Sequence, residues 1–195
     1  MKVAEPTLGL RDRKKIQTRD TIRREAMRLI KANGYAATTI EQIADAAEIA
    51  PSTFFRYFPT KDSVLIANDL DQVTIDALAS LPADMEPLKA FRRSLEITLA
   101  AVTTREWRFE RARLRLVLSV PELKAAQLDE YRRTVARLAE AEARRSGRDA
   151  NELEVRVFVA ALSGGLMASL DGQLSGLTDR MQQTLDYMEA GMNFR

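Results

Sequence analysis

Ser52, Thr53, Phe55, Arg56 and Tyr57 crowd two hydroxyls, a guanidinium and two aromatic faces into six positions, and a phenol with them. With no histidine anywhere in the chain, these groups are equipped to read a surface of acceptors and methyls rather than to break bonds. Arg56 alone can form a bidentate pair with guanine, worth roughly 1–3 kcal/mol of discrimination; its other use is as a phosphate clamp. Either use needs a short helix that turns these residues outward. Phe54 and Phe58, four apart, can bury together on the opposite face, and Pro51 suits the first helical position, where a missing N–H is no loss. Just upstream, Thr38-x-x-Glu41 and Thr39-x-x-Gln42 both fit a capping box. Ile40, Ile43, Ala44 and Ala47 then recur at i, i+3, i+4 and i+7, one apolar stripe on a helix. Two short helices joined by a tight turn, the second polar and aromatic outside, are laid out as a helix-turn-helix DNA reader.

Composition narrows the alternatives. The 195 residues are 46% hydrophobic and 30% charged, as expected of a globular chain with a sizeable core. Without cysteine or histidine there is no disulfide, no thiolate, and neither the commonest general base nor the commonest metal ligand. No cofactor, metal site or enzymatic activity is therefore expected, although carboxylate or lysine chemistry remains open in principle. No run approaches 18 uncharged apolar residues, so no membrane span is expected. The N-terminus has no apolar signal region, which points to the cytoplasm. Net charge is only +2, but residues 1–31 hold ten Lys or Arg against four Asp or Glu, a net +6 that leaves −4 for the rest. A basic end beside a mildly acidic remainder suits a DNA-binding end and a second, different one; a solvated helix face is the other reading of the same charges.

The periodicity and the stop signals predict an all-α fold of about nine helices, over about 10–33, 39–47, 51–58, 61–81, 86–103, 106–119, 121–146, 149–172 and 177–191. Ile22, Ala26, Leu29 and Ile30 form the buried stripe of the first, and Asn33-Gly34 stops it. Thr60 can cap the fourth, Pro121 fits a helix start and Gly147 a stop. The division expected is a flexible arm over about 1–9, an N-terminal three-helix head with the helix-turn-helix over about 10–60, and a C-terminal helical bundle over about 61–195, for ligand binding and dimerisation.

The head resembles the DNA-binding domain of the TetR family of bacterial transcriptional regulators. The resemblance runs from about Lys14 to Leu65 and is carried by Gly34-Tyr35, Thr38-Thr39-Ile40, Ile43-Ala44, Ala47, Thr53-Phe54-Phe55, Tyr57-Phe58 and Lys61. It implies that the second motif helix enters the major groove, with Pro51, Ser52, Thr53, Phe55 and Arg56 at the base edges. It also implies that Thr39, Tyr57 and Lys61 hold phosphates. Two residues depart from the pattern. Ala50 stands where the family usually has Ser, so a side-chain cap typically worth about 1 kcal/mol is lost; Phe55 stands where a Tyr is usual, removing a hydroxyl.

A lone three-helix head gives little affinity, and readers of this kind pair on palindromic DNA with recognition helices about 34–36 Å apart. Leu153, Val157, Ala161, Gly164 and Ala168 lie along one stripe of the eighth predicted helix; small side chains there allow close helix approach. With Leu177, Met181, Leu185, Met188 and Met192 they suit either a homodimer face or intramolecular core, and the family resemblance implies the dimer.

The middle helices are expected to enclose a cavity for a small hydrophobic effector, with Leu95, Leu99, Trp107, Phe109, Arg113, Val117, Tyr131, Phe158 and Leu162 as wall candidates; packed core is the other reading of each. Residues 111–133 are similar to TetR-family members described as having an acyl-CoA-like ligand-binding domain. That similarity implies a long acyl chain or its CoA thioester as effector, with Arg105, Arg108, Arg111, Arg113 and Arg115 available to phosphates or a carboxylate. The leading expectation is a homodimeric repressor on a palindromic operator in double-stranded DNA, released by such an effector. A DNA-binding regulator without any small-molecule effector is the alternative, and an α-helical enzyme or lipid carrier is the third.

Overall fold

The computed structural model describes residues 9–67, 69–170 and 176–192, and among them all regular structure is helical. The expected arm therefore lies outside the described residues, Gly9 excepted. The helices are α1 (Leu10–Asn33), α2 (Ile40–Ala46), α3 (Pro51–Tyr57), α4 (Ser63–Ile66), α5 (Asp69–Ser80), α6 (Pro87–Ala101), α7 (Thr104–Ser119), α8 (Pro121–Ser146), α9 (Leu153–Leu170) and α10 (Leu177–Glu189). They fall into two compact units. The first reaches Ala67 and takes in Val120–Leu123; the second comprises the rest.

The tenth helix is a correction. One helix was expected over about 61–81, but the chain leaves helical geometry at Ala67 (φ −56°, ψ 120°). The carbonyl of Ala67 accepts a 2.8 Å bond from Nη2 of Arg23, a residue only 5% exposed. A buried guanidinium must find acceptors, and an unbroken helix would have kept that carbonyl for itself. Thr60 caps the turn before α4, its Oγ1 accepting from the Ser63 N–H at 3.2 Å. α9 begins later than expected because Asp149, Asn151 and Glu152 tie the preceding loop, with the Asn151 N–H donating to Asp149 Oδ1 at 2.8 Å and the Asp149 N–H to Glu152 Oε1 at 2.9 Å. α7 starts from a capping box at Thr103, whose N–H donates to Glu106 Oε2 (2.8 Å) while its Oγ1 accepts from the Glu106 N–H (3.3 Å).

The first unit closes on Ile22, Ala26, Ile43, Ala47, Phe54, Phe58 and Val64. Each fully buried Phe contributes about 1.5–3 kcal/mol by leaving water. The second unit closes on Ile75, Leu78, Ala90, Phe91, Leu138, Val155, Val159, Leu162 and Leu185, with alanines 139, 141 and 143 of α8 filling the close approaches. Its α5–α6 connection is pinned from α8. Arg145, 6% exposed, pairs with Glu142 through Nε (2.8 Å) and Nη2 (2.7 Å), while Nη1 donates to the carbonyls of Pro82 (2.6 Å) and Met85 (2.9 Å). Among the described residues no helix is long and apolar enough to cross a membrane.

Candidate nucleic-acid interface

Of the two possible capping boxes on α2, the fold uses Thr39. Its Oγ1 accepts from the Gln42 N–H at 3.2 Å, and its own N–H donates to Gln42 Oε1 at 3.0 Å. Thr38 turns inward instead, 1% exposed, donating its hydroxyl to the Gly34 carbonyl at 2.8 Å. The Thr39 hydroxyl and the first-turn backbone hold the Glu41 carboxyl below its usual pKa, the Glu41 N–H being the larger influence. α2 ends in a turn where Glu48 takes a left-handed backbone (φ 54°). Pro51 opens α3 at its first turn, and Ala50 supplies no side-chain cap.

Phe54 and Phe58 of this segment point inward with ring centres 6.0 Å apart, at 0% and 1% exposure. Their burial fixes the roll of α3 and leaves Pro51, Ser52 and Arg56 exposed, Thr53 and Tyr57 half-buried. Phe55 stands 53% exposed, braced edge-on against Phe54 at 5.7 Å and 84°. An aromatic ring held half out of the protein beside two hydroxyls and a guanidinium is available to a partner, since about half of it stays outside the core. The guanidinium of the exposed Arg56 lies 5.5 Å from the Tyr57 ring centre, a loose cation–π contact.

Lys61 is placed differently from the other expected contacts. Its ammonium donates to the carbonyls of Tyr35 (2.9 Å) and Thr38 (3.0 Å) and lies 4.1 Å from the Tyr35 ring centre. Burial, then Asp62 and Glu122, push the Tyr35 hydroxyl pKa up. Thr39, Pro51, Ser52, Thr53, Phe55, Arg56, Tyr57 and Lys61 thus all lie in the first unit, six of them on α3, Thr39 at the start of α2 and Lys61 beneath the α1–α2 loop.

The basic count of α1 overstates its outward charge. Arg23 is the buried partner of Ala67, and Arg19 donates to the Tyr57 carbonyl at 3.3 Å with its Cζ 4.5 Å over the Phe58 ring. The signal was available: both sit on the stripe of Ile22 and Ala26, at helical spacing, where a cation is structural more often than it is solvated. Arg11, Arg13, Lys14, Lys15, Arg24, Arg28 and Lys31 are the exposed ones, and Arg28 pairs with Glu25 at 2.7 Å.

In the second unit, Leu162 belongs to the core, with Leu95 and Phe158 packed against it. Val117 is fully buried, and Leu99, Trp107 and Phe109 are half-buried. Arg113 is 5% exposed and its Nε donates to Glu110 Oε2 at 2.7 Å. The Tyr131 hydroxyl donates to the Ala160 carbonyl at 3.3 Å. Two surface grooves are prominent. One, of about 840 Å³, runs between α8 and α9 and touches Tyr131, Val135, Leu153 and Val157; the other, about 680 Å³, runs between α9 and α10 over Gly164, Gly165, Ala168 and Met188. Of the nine wall candidates, Tyr131 alone lines either groove.

The family profile described as "Bacterial regulatory proteins, tetR family" matches residues 22–68, and one described as "MftR C-terminal domain" matches residues 85–193. The HTH-type transcriptional regulator TcmR of Streptomyces glaucescens is 36% identical over 180 residues, covering 88% of this chain and 80% of that one. The putative mycofactocin biosynthesis transcriptional regulator MftR of Mycobacterium tuberculosis is 26% identical over 175 residues, 86% and 87% of the two chains. Among solved structures, SmeT, the repressor of the Stenotrophomonas maltophilia multidrug efflux pump SmeDEF, aligns with a TM-score of 0.55 at 19% identity over 89% of each chain. FadR of Thermus thermophilus, a TetR-family repressor solved with lauroyl-CoA, aligns at 0.53 and 24% identity over 91% and 96%. At those identities the two structures share a fold with this chain.

Proposed function

This chain belongs to the TetR family of bacterial transcriptional regulators, DNA-binding proteins without enzymatic activity, and from that premise we propose that it is a cytoplasmic, homodimeric repressor of a palindromic operator. The observation that carries the reading is the outward set on α3. Ser52, Thr53, Phe55 and Arg56 face away from a core closed by Phe54 and Phe58, on a helix that follows a capped α2 and a tight turn. Arg56 is assigned to a guanine edge or a phosphate, Ser52 and Thr53 to base edges or phosphates, and Phe55 to a thymine methyl. Thr39, Tyr57 and the remaining Lys61 donor are assigned to the flanking backbone. Pairing is supported by the exposed stripe Leu153, Val157, Ala161 and Ala168 on α9.

The effector assigned here is a small hydrophobic molecule, with fatty acyl-CoA as the class to test first. Support comes from the resemblance of residues 111–133. Release then follows if the effector binds the non-operator spacing of the heads more tightly, by a few kcal/mol. One observation favours the effector-free reading: Val117 and Leu162 are packed to 0% and 2% exposure, as filled core requires.

A mobility-shift assay on the intergenic DNA beside its own gene, repeated with an acyl-CoA panel, separates these. Retardation by the wild-type chain, weakened in Arg56→Ala and reversed by one chain length, is the expected result. Retardation that no acyl-CoA reverses removes the effector arm, and none at all removes the repressor. In a salt series each lost phosphate contact flattens the slope of log K against log salt by about 0.9.

A further inference from the structure

We propose that Arg19 is a positioning residue for α3: it sets the orientation in which Ser52, Thr53, Phe55 and Arg56 meet DNA, and it does not itself hold a phosphate. The inference rests on the groove placement of α3 argued above. It adds a determinant of affinity on another helix, directed at the end of α3.

α3 is seven residues long, far below the length at which an isolated helix persists in water. Its first turn has no side-chain cap, so its direction depends on what grips it from outside. Phe54 and Phe58 set its roll, but two inward side chains on one face leave the tilt of the axis open. The end of the helix is where Arg19 acts. Its Nη1 donates to the Tyr57 carbonyl at 3.3 Å, one of the terminal acceptors a helix cannot satisfy internally. Its Cζ lies 4.5 Å over the Phe58 ring, at the residue where the backbone turns extended (φ −139°, ψ 114°).

One planar group thereby holds a carbonyl and the next residue's ring, on either side of the point where α3 ends. A flat fork that lies over a ring and donates to a carbonyl fixes direction as well as distance; an ammonium in its place would fix distance alone. Placement along α1 agrees. Arg19 is half-buried and shares its face with Ile22 and Ala26, whereas Arg24 and Arg28 are exposed.

The test uses the full chain and the tightest duplex that the wild type selects from a random-sequence pool. Affinity is followed by fluorescence anisotropy across a salt series, well below each variant's melting point, and folding by circular dichroism. Arg19→Met and Arg19→Lys are each expected to weaken binding about tenfold, the scale of one lost hydrogen bond plus a stacked cation, with the wild-type salt slope retained. Arg56→Ala in the same series flattens the slope or relaxes selection at one base pair, which calibrates a true contact. If Arg19→Lys binds as the wild type while Arg19→Met flattens the slope by about 0.9 per head, Arg19 is a phosphate contact and the proposal fails. It fails equally if both variants keep wild-type affinity and lose only melting temperature. Should Arg19→Met not fold, Arg19→Lys decides alone: weaker binding at unchanged slope supports positioning, wild-type binding overturns it. A wild type that selects no duplex at all defeats the DNA reading first, a result distinct from any of these.

Discussion

The ammonium of Lys61 lies 4.1 Å from the centre of the Tyr35 ring and donates to that residue's carbonyl at 2.9 Å, with a second bond to the Thr38 carbonyl at 3.0 Å. The residue that resemblance assigns to a phosphate is thus also the staple of the α1–α2 loop, and that loop presents the Thr39 cap. Two of its three donors are bound to backbone carbonyls of the protein. Lys61→Met should therefore lower unfolding free energy by about 2 kcal/mol, the scale of charge-assisted bonds at a half-exposed site, in addition to weakening DNA binding. Urea denaturation of the DNA-free protein measures it. An unchanged midpoint would make Lys61 a phosphate ligand alone.

The turn between α2 and α3 is less stable than it could be. Glu48 sits at φ 54°, a backbone that side chains bearing a Cβ adopt at a cost of about 1 kcal/mol, and glycine avoids that cost. Two residues on, Ala50 holds the N-cap geometry (φ −69°, ψ 147°) without an oxygen to donate to. Glu48→Gly and Ala50→Ser should each raise stability, by about 1 kcal/mol or somewhat less, read as upward shifts in melting temperature. A fall in either variant would mean that the native side chain makes a contact worth more than the local geometry costs.

Asp71 on α5 gives a pH signature. Burial is the largest influence on its carboxyl and pushes the pKa above the ordinary 3.8, against the Thr134 hydroxyl donating to Oδ2 at 2.9 Å and the nearby Arg113 and Arg137, with Glu130 adding to the rise. The folded chain then binds more protons than the unfolded chain in the interval between the ordinary and raised values, and stability falls as pH rises through it. Asp71→Asn keeps an acceptor for Thr134 and removes the charge. Its melting temperature should equal or exceed the wild type at pH 7, with the advantage shrinking as pH falls toward 4. A variant markedly less stable at pH 7 would show that the arginines outweigh desolvation.

The helix-turn-helix was legible because its signals are local: the Thr39–Gln42 box, the Ala47 stripe, Pro51, and the inward pair Phe54 and Phe58 are all set within a few residues of one another. Local periodicity likewise placed α1 and α8. What periodicity could not show was the break at Ala67, made by Arg23 from 44 residues away, or Arg145 holding the carbonyls of Pro82 and Met85. Arg23, counted with the charge of the basic end, is an internal donor to a distant carbonyl because tertiary packing decided which face it occupied. In the second unit, Leu162, Leu95 and Phe158 came together as core, while Arg113 found Glu110. Spacing alone cannot distinguish a wall from a filled centre. The α10 set divided for the same reason, Leu185 going into the core at 2% exposure and Met192 staying outside at 51%.

Two neighbouring positions on α9, Ala161 and Gly165, yield the last prediction, because they answer to different neighbours. Leu153 and Val157 are 75% and 56% exposed, and Ala161 and Ala168 continue outward along the same stripe. Beside that stripe, on the flank that meets α10, a Cβ at Gly165 would stand 3.0 Å from Met188 Sδ and 3.1 Å from Thr184 Cγ2. Ala161→Arg adds a charge that a single protomer leaves in water but a paired α9 must desolvate, at a cost of several kcal/mol. The mass by light scattering should halve, the melting curve should keep its cooperativity, and operator affinity should fall because the two heads are no longer linked. Gly165→Ala should act inside each protomer instead: Met188 and Thr184 must both give by a few tenths of an ångström, a crowding set against the roughly 1 kcal/mol that a helical alanine gains over glycine, so the melting point drops only modestly and the mass stays that of a dimer. An Ala161→Arg chain that remains dimeric would place the pairing face elsewhere. A Gly165→Ala chain that turns monomeric with an unshifted melting point would show that the flank facing α10, too, serves the partner.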